Sequence, residues 1–366
     1  MMDWVIRGAD KKLFWTVIVL FVGGILILSS ASIVLSEKHA GTFYYYSLRQ
    51  LLTGGVVGLA CFFAAMHMPY RMWRKFGVFL MVLSFMLLAL LFIPQFGFSH
   101  GGARRWLAFG SFTFQPSEIL KLSFIVYLAS WLDARRSDVG SVAYGLIPFS
   151  LMVALVSVFL VMQPDIGTLL IILSTVGFMY LLGGGRWHQV GILAVFGIVI
   201  GFFLVQLKPY LLNRIWVFFN PDFDPSGIGY QIAQSLIAIG SGGILGRGFG
   251  QSIQKYSYLP EPMGDSIFAV YLEEMGFLGA LLLVGVFAFF LWRGLHIARR
   301  ARDTFGKLLA SGITVGIFIQ AFINMAAISG LLPLTGVPLP FVSYGGTSLV
   351  VTLVSAGILL NISKHA

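Results

Sequence analysis

The stretch YLPEPMGDSIFAVYLEEMG, residues 258 to 276, sets Asp265, Glu273 and Glu274 beside or inside a run otherwise suited to lipid. Glu261 lies four residues before Asp265, and Tyr256 and Tyr258 lie close by. Several carboxylates converging in low-dielectric surroundings suit proton abstraction by a group of raised pKa, or a bound cation. A plainer reading for Asp265 is helix N-capping, because it opens an apolar run. Capping alone would need none of the company. Adjacent helical residues diverge by about 100°, so one of Glu273 and Glu274 is expected to face the bundle and the other a neighbour or the interface.

Three further groups carry charge where lipid is expected. In QPSEILKL, Glu118 and Lys121 are three residues apart and share one helix face. A charge near mid-bilayer is costly unless paired or facing a polar cavity, so the pair either fixes helix packing or shapes a polar cavity open to the outside. Asp165 follows Gln163 and Pro164 at the start of another apolar run, where the helix dipole alone would favour it. Arg104 and Arg105 in HGGARRWLAFG, with Arg214, Arg247 and Lys255 further on, fall in outer segments that otherwise carry few basic residues. Anchoring beside Trp106 is one cause. The other is an anionic ligand, since guanidinium forks meet phosphate oxygens bidentately. Trp106, Tyr256, Tyr258 and Tyr344 offer flat faces for sugar rings, although aromatics are common at membrane boundaries without ligands.

These residues must be positioned by a membrane bundle. With 58% hydrophobic and 10% charged residues among 366, and a mean hydropathy of +0.90, the chain is polytopic rather than a soluble globular protein. Ten spans are expected, near 13–35, 51–68, 78–94, 117–132, 144–162, 166–185, 190–207, 266–292, 305–333 and 348–362, all helical because a span in lipid must satisfy its own backbone groups. The expectation is an all-α fold, one membrane domain over 1–366, with a single long extracytoplasmic loop near 208–265. A cytoplasmic N-terminus puts Arg7, Arg71, Arg135, Arg186, Arg293, Arg299 and most other basic residues inside, as the positive-inside rule expects, and makes both termini cytoplasmic. The formal charge of +10 is spread over short tethers rather than gathered in a patch, so no nucleic acid partner is expected. SGGILGRGFGQ lacks the Lys-Ser/Thr of a phosphate-binding loop and follows no strand. The one cysteine, Cys61, supports neither a disulfide framework nor a thiolate metal site. The first apolar run is too long for a cleaved signal peptide.

Four ordered motifs, GARRWLAFGSFTFQPSEILKL, QPDIGT, YLPEPMGDSIFAVYLEEMGFLG and GLLPLTGVPLPFVSYGGTSLV, resemble the SEDS family of bacterial cell-wall proteins, the FtsW, RodA and SpoVE group. The similarity runs from the first span to the last and is nearer the FtsW type. It implies a ten-helix bundle in the bacterial plasma membrane that polymerises lipid II into glycan strands, for cell division or elongation. The implied partners are a class B penicillin-binding protein and other divisome or elongasome proteins. The family's essential aspartate falls on Asp265, its Glu and Lys pair on Glu118 and Lys121, and its acidic residue after Gln-Pro on Asp165. Met263, Gly264 and Ser266 depart from the His-Thr-Asp-Phe found around that aspartate in many members. The resemblance makes Asp265 the base that deprotonates the acceptor sugar hydroxyl, and Arg104, Arg105 and Arg247, with Glu261 nearby, the groups around the pyrophosphate. A divalent cation such as Mg or Mn bridging pyrophosphate and carboxylates is plausible chemistry but has no ligand spacing behind it. Glu273 and Glu274 are left to packing or cavity polarity. The rivals are a lipid II flippase, which needs polar groups through both membrane halves, and a non-catalytic scaffold, which needs no intramembrane charge. Ionisable span residues concentrated on the outer side favour the polymerase.

Overall fold

The computed structural model describes residues 8–93, 95–100, 103–109 and 112–366; Arg7, read above as cytoplasmic, lies outside them. In chain order the helices are α1 (Lys11–Ala31), α2 (Ile33–Ala40), α3 (Tyr45–His67), α4 (Arg71–Leu90), α5 (Pro116–Ala134), α6 (Val142–Met162), α7 (Ile166–Leu182), α8 (Trp187–Leu207), α9 (Pro209–Phe219), α10 (Ile228–Gly242), α11 (Ile267–Arg300), α12 (Thr304–Ile328) and α13 (Gly346–Ser363). Among the described residues, eight of these are long and apolar enough to cross a membrane unaided. Two more complete the ten expected spans. α5 falls short only because Glu118, Lys121 and Asp133 interrupt it, and α7 only because it has 17 residues.

Helix α12 is the axis of the bundle, packing on α5, α7, α11 and α13 and buried on nearly every side. Small residues, Gly306, Ala310, Gly312, Gly316 and Ala321, let its neighbours approach, as membrane interfaces require. At the other extreme, α8 is apolar all round and buries almost nothing, which suits a helix sheathed in lipid. At one end of the bundle, Arg293 pairs with Asp10, whose backbone N–H donates to Ser363 Oγ at 2.9 Å. There too the Tyr70 N–H donates to Asn361 Oδ1 at 2.8 Å, and Arg71 meets Asp303 at 3.0 Å. Residues near both chain ends therefore share one face of the protein.

Three features depart from the reading of the sequence. Residues between α4 and α5 form an antiparallel sheet, β1 (Gly97–His100), β2 (Ala103–Phe109) and β3 (Phe112–Phe114), in the order β1-β2-β3. Short aromatic-rich runs separated by glycine favour such pairing, and none of them has the length of a membrane span. The ninth span ends at Ile328, so the stretch to Gly345 is irregular but largely buried, with Val337, Leu339, Phe341 and Val342 packed inside. Such backbone is tolerated at membrane depth only where protein covers it. Finally, α11 is broken at Gly276, where φ is 64° and ψ is −163°. Only glycine suits that backbone, and a Cβ there would lie 2.3 Å from the Gly246 nitrogen.

Candidate functional site

Asp265 sits one residue before Ser266, the residue that precedes α11, and its carboxylate caps no helix amide. Oδ1 instead accepts from Gln231 Nε2 of α10 at 3.2 Å, and Ser266 Oγ approaches it at 3.5 Å. The main chain is held separately: Asn324 Nδ2 of α12 donates to the Asp265 carbonyl at 2.9 Å, and Ser343 Oγ to the Gly264 carbonyl at 2.7 Å. The loop is thus fixed largely through its backbone, with the carboxylate's Oδ2 bordering the space beside Gly336. Burial, and then the charge of Glu261, push the Asp265 carboxyl up to about 6, against the weaker pull of Gln231 and Arg214. A carboxylate poised there is a base matched to neutral pH.

Arg214 of α9 is the cation beside it. Its Nη1 donates to the Thr335 carbonyl at 3.2 Å. Gly336, at φ +69°, has the space that a Cβ would take bordered by both Asp265 Oδ2, 3.8 Å away, and Arg214 Nη2, 4.0 Å away. Glycine is required by that backbone and also keeps the space between base and guanidinium open. Arg214 is buried enough that desolvation, and next the charge of Arg105, depress its pKa. Arg105 arrives from β2 through a bulge: Phe98 pairs with Trp106 and Ser99 with Arg104, so Arg105 is the extra residue. A bulge re-aims the side chain it carries, and this one donates to the carbonyls of Gln163 and Pro164. Arg104, its neighbour in β2, is exposed.

Asp165 caps α7, accepting from the Thr168 N–H at 3.3 Å and from Ser117 Oγ of α5 at 3.1 Å. It does more than cap, because its charge is felt by Arg214 and Tyr210. One residue along α5, Glu118 is 2% exposed and pairs with Lys121 at 2.9 Å, while Lys121 also donates to Gln320 of α12. The pair lines a cavity with Thr175, Gln320, Thr352 and Ser355, offering about 40 Å³ to the centre of a water molecule. Space of that kind lined by polar groups can hold water. The pair thus joins α5 to α12 and lines a cavity whose wall is otherwise largely apolar, with Leu122, Phe124, Ile125 and Ile171 among its residues. Close to the Arg105 and Arg214 anchors, Gln163 Nε2 and Thr335 Oγ1 are buried without a protein hydrogen-bond partner. Groups of this kind are normally satisfied by water or ligand.

Two expectations change. Arg247 does not join the arginines above; it lies 3.7 Å from Glu273, and its backbone N–H donates to the Glu273 carbonyl at 3.0 Å. Glu273 and Glu274 do not split between bundle and neighbour, since both are buried and both grip the loop after α10. Glu273 accepts from Ser252 Oγ and from the N–H groups of Ile253 and Gln254; Glu274 pairs with Lys255 at 2.8 Å and accepts from Ser30 Oγ of α1 at 2.6 Å. The loop wraps across the helix just before its break at Gly276, so residues 100° apart meet the same segment. Sequence reasoning named Arg214 only in passing, and nothing in its local pattern set it above Arg247.

The comparisons with known proteins agree with this architecture. The family model described as cell cycle protein, FTSW_RODA_SPOVE, matches residues 11–366. The chain belongs to the FtsW, RodA and SpoVE family. Stage V sporulation protein E of Bacillus subtilis (strain 168) is 40% identical over 357 residues, which cover 98% of this chain and 97% of that protein. A protein of Geobacter sp. (strain M18), named probable peptidoglycan glycosyltransferase FtsW, is 37% identical and covered to 98% on both sides. Among solved structures, a chain from work on structural coordination of polymerization and crosslinking by a peptidoglycan synthase complex superposes with a TM-score of 0.80 at 27% identity, covering 98% of each chain. The crystal structure of the rod shape determining protein RodA from Thermus thermophilus gives 0.71 at 26% identity, over 97% of this chain and 96% of that one. In this FtsW, RodA and SpoVE family member, Asp265, the two anchored arginines and the Glu118 and Lys121 pair all occupy one end of the bundle, opposite the Asp10 and Arg293 end.

Proposed function

We propose that this chain is a peptidoglycan glycosyltransferase that polymerises lipid II at the outer face of the bacterial plasma membrane. Both termini are cytoplasmic, and a class B penicillin-binding protein works beside it. The observation that carries the reading is the Asp265 carboxylate: uncommitted to capping, held near neutral pKa, and sharing the space beside Gly336 with Arg214. The acceptor is the 4-hydroxyl of the GlcNAc in lipid II. Asp265 takes its proton as the oxygen attacks the anomeric carbon of the growing strand, and the bond from that carbon to pyrophosphate breaks. Negative charge grows on the departing undecaprenyl pyrophosphate. Arg214 stabilises it from a position already fixed by Thr335, so little reorganisation is needed during the reaction. Arg105, clamped to Gln163 and Pro164, adds positive potential behind it.

A divalent cation of the Mg or Mn type would be held by Asp265 and Glu261 with substrate phosphates as its other ligands, since among the described residues no group of three or more His, Cys, Asp or Glu gathers to hold one. Mg²⁺ commonly uses one or two carboxylates together with substrate phosphates. Bound there, it would neutralise pyrophosphate charge. The test of the whole reading is purified protein incubated with lipid II, with and without a class B penicillin-binding protein, resolved on a gel. Glycan ladders support the polymerase; a flippase or scaffold would leave lipid II unpolymerised.

A further inference from the structure

A group of rings joined to the segment that carries Asp265 is unused by the chemistry above. His39, in α2, has its ring centroid 5.3 Å from Tyr45 and 5.8 Å from Tyr46. Tyr45 and Tyr46 meet edge to face at 5.1 Å and 79°, and Tyr46 and Tyr344 do the same at 5.4 Å and 81°. Rings set near right angles make open corners instead of a closed stack, so faces are left uncovered. His39 is exposed, and Tyr45, Tyr46 and Tyr344 are only half-buried.

The group is tied to the catalytic loop. The Tyr344 N–H donates to the Met263 carbonyl at 2.8 Å, and its neighbour Ser343 holds Gly264. Gln50 of α3, itself buried, accepts from the Gly345 N–H at 3.1 Å and so pins the same turn from the other side. Met263 and Asp265 are two residues apart, so their Cα atoms are at most about 7.6 Å apart. The Tyr344 backbone is therefore one hydrogen bond away from the segment that carries Asp265.

We propose that His39, Tyr45, Tyr46 and Tyr344 form a subsite for uncharged pyranose rings of the growing glycan strand; this rests on the polymerase reading. The C–H faces of a pyranose are apolar and flat enough to lie on aromatic faces, which bury large area at low conformational cost. Pyrophosphate is drawn to Arg214 and Arg105, which come from other elements of the fold, while Arg49 of α3 lies close enough to Tyr344 to act on it electrostatically. The strand is the fitting occupant because it must leave the membrane surface. The connection from α2 to α3 is on the outer side, where Phe43 and Tyr44 are also exposed. Retaining the strand between additions without a strong ionic contact lets it slide by one disaccharide per cycle.

The test uses the full-length protein with two readouts. In the lipid II assay, His39→Ala with Tyr45→Ala should shorten the mean strand at least threefold at matched lipid II consumption. Tyr46→Phe, which keeps the ring, should shorten the strand less than Tyr46→Ala. In saturation-transfer NMR, a lipid-free GlcNAc–MurNAc tetrasaccharide should receive magnetisation from the parent and from Asp265→Asn, and at least threefold less from the double Ala variant. His39 is exposed, so His39→Ala alone serves as the variant that folds if the double does not, with the same direction of change. Unchanged strand length, or unchanged transfer, overturns the subsite. A parent that binds the tetrasaccharide yet makes no ladder overturns the polymerase reading and leaves the sugar site standing.

Discussion

Replacing Lys255 by Met should destabilise the protein more than any exposed charge change, and the structure gives the size. Lys255 is 1% exposed; its ammonium donates to Glu274 at 2.8 Å, to the Gly250 carbonyl at 2.8 Å and to Ser30 Oγ at 3.0 Å. Met keeps the length and removes all three donors, leaving Glu274, itself 3% exposed, as a buried carboxylate without its cation. Breaking a buried pair from one side costs about 3–5 kcal/mol. For a chain larger than those that shift by about 2–4 °C per kcal/mol, that corresponds to a fall of roughly 5 °C in Tm. Lys255→Met combined with Glu274→Gln should recover at least half of it, because Gln keeps an acceptor for Ser30 and Ser252 without the stranded charge. Thermal unfolding in detergent, followed by intrinsic fluorescence, measures both. A single variant within 1 °C of the parent, or a double variant no better than the single, would refute a dry ion pair clamping the loop to α1 and α11.

Other outcomes follow from the site. Turnover should lose about tenfold per pH unit below about pH 6, where Asp265 becomes protonated; Glu261→Gln removes a neighbouring negative charge and should move that limb to lower pH. Arg214→Ala should lower the polymerisation rate by about 10²-fold, the scale for losing one preorganised donor. Arg214→Lys should rescue it only partly, and Arg247→Ala should cost less than either because Arg247 serves Glu273. Glu118→Lys with Lys121→Glu should be better folded than either single exchange by thermal shift; if it is also inactive, the pair acts on the cavity and not on packing alone.

Much of the bundle was legible because lipid imposes a strong rule: unbroken apolar runs such as Trp187–Leu207 can only be helices there. Asp265, Glu118, Lys121 and Asp165 were legible as costly charges in such surroundings. What could not be read was the path of the long connection. Arg214 and Arg247 are both arginines in that segment, and only the folding of α9 against Thr335, and of the later turn against Glu273, separates them. Arg105 depended on a bulge, a one-residue slip that no periodicity encodes. Glu273 and Glu274 were misjudged for a related reason, since helical geometry gave their directions correctly but not the loop that wraps around both. The break at Gly276 was hidden because glycine occurs throughout this chain, and only the approach of Gly246 marks it out.

The central claim is that the Asp265 carboxylate is the base for glycan polymerisation. Asp265→Asn keeps the shape and an acceptor for Gln231 but cannot take a proton, so it should retain the parental Tm and yield no glycan ladder from lipid II in detergent. An Asp265→Asn protein that polymerises lipid II at a rate near the parent's would contradict the account.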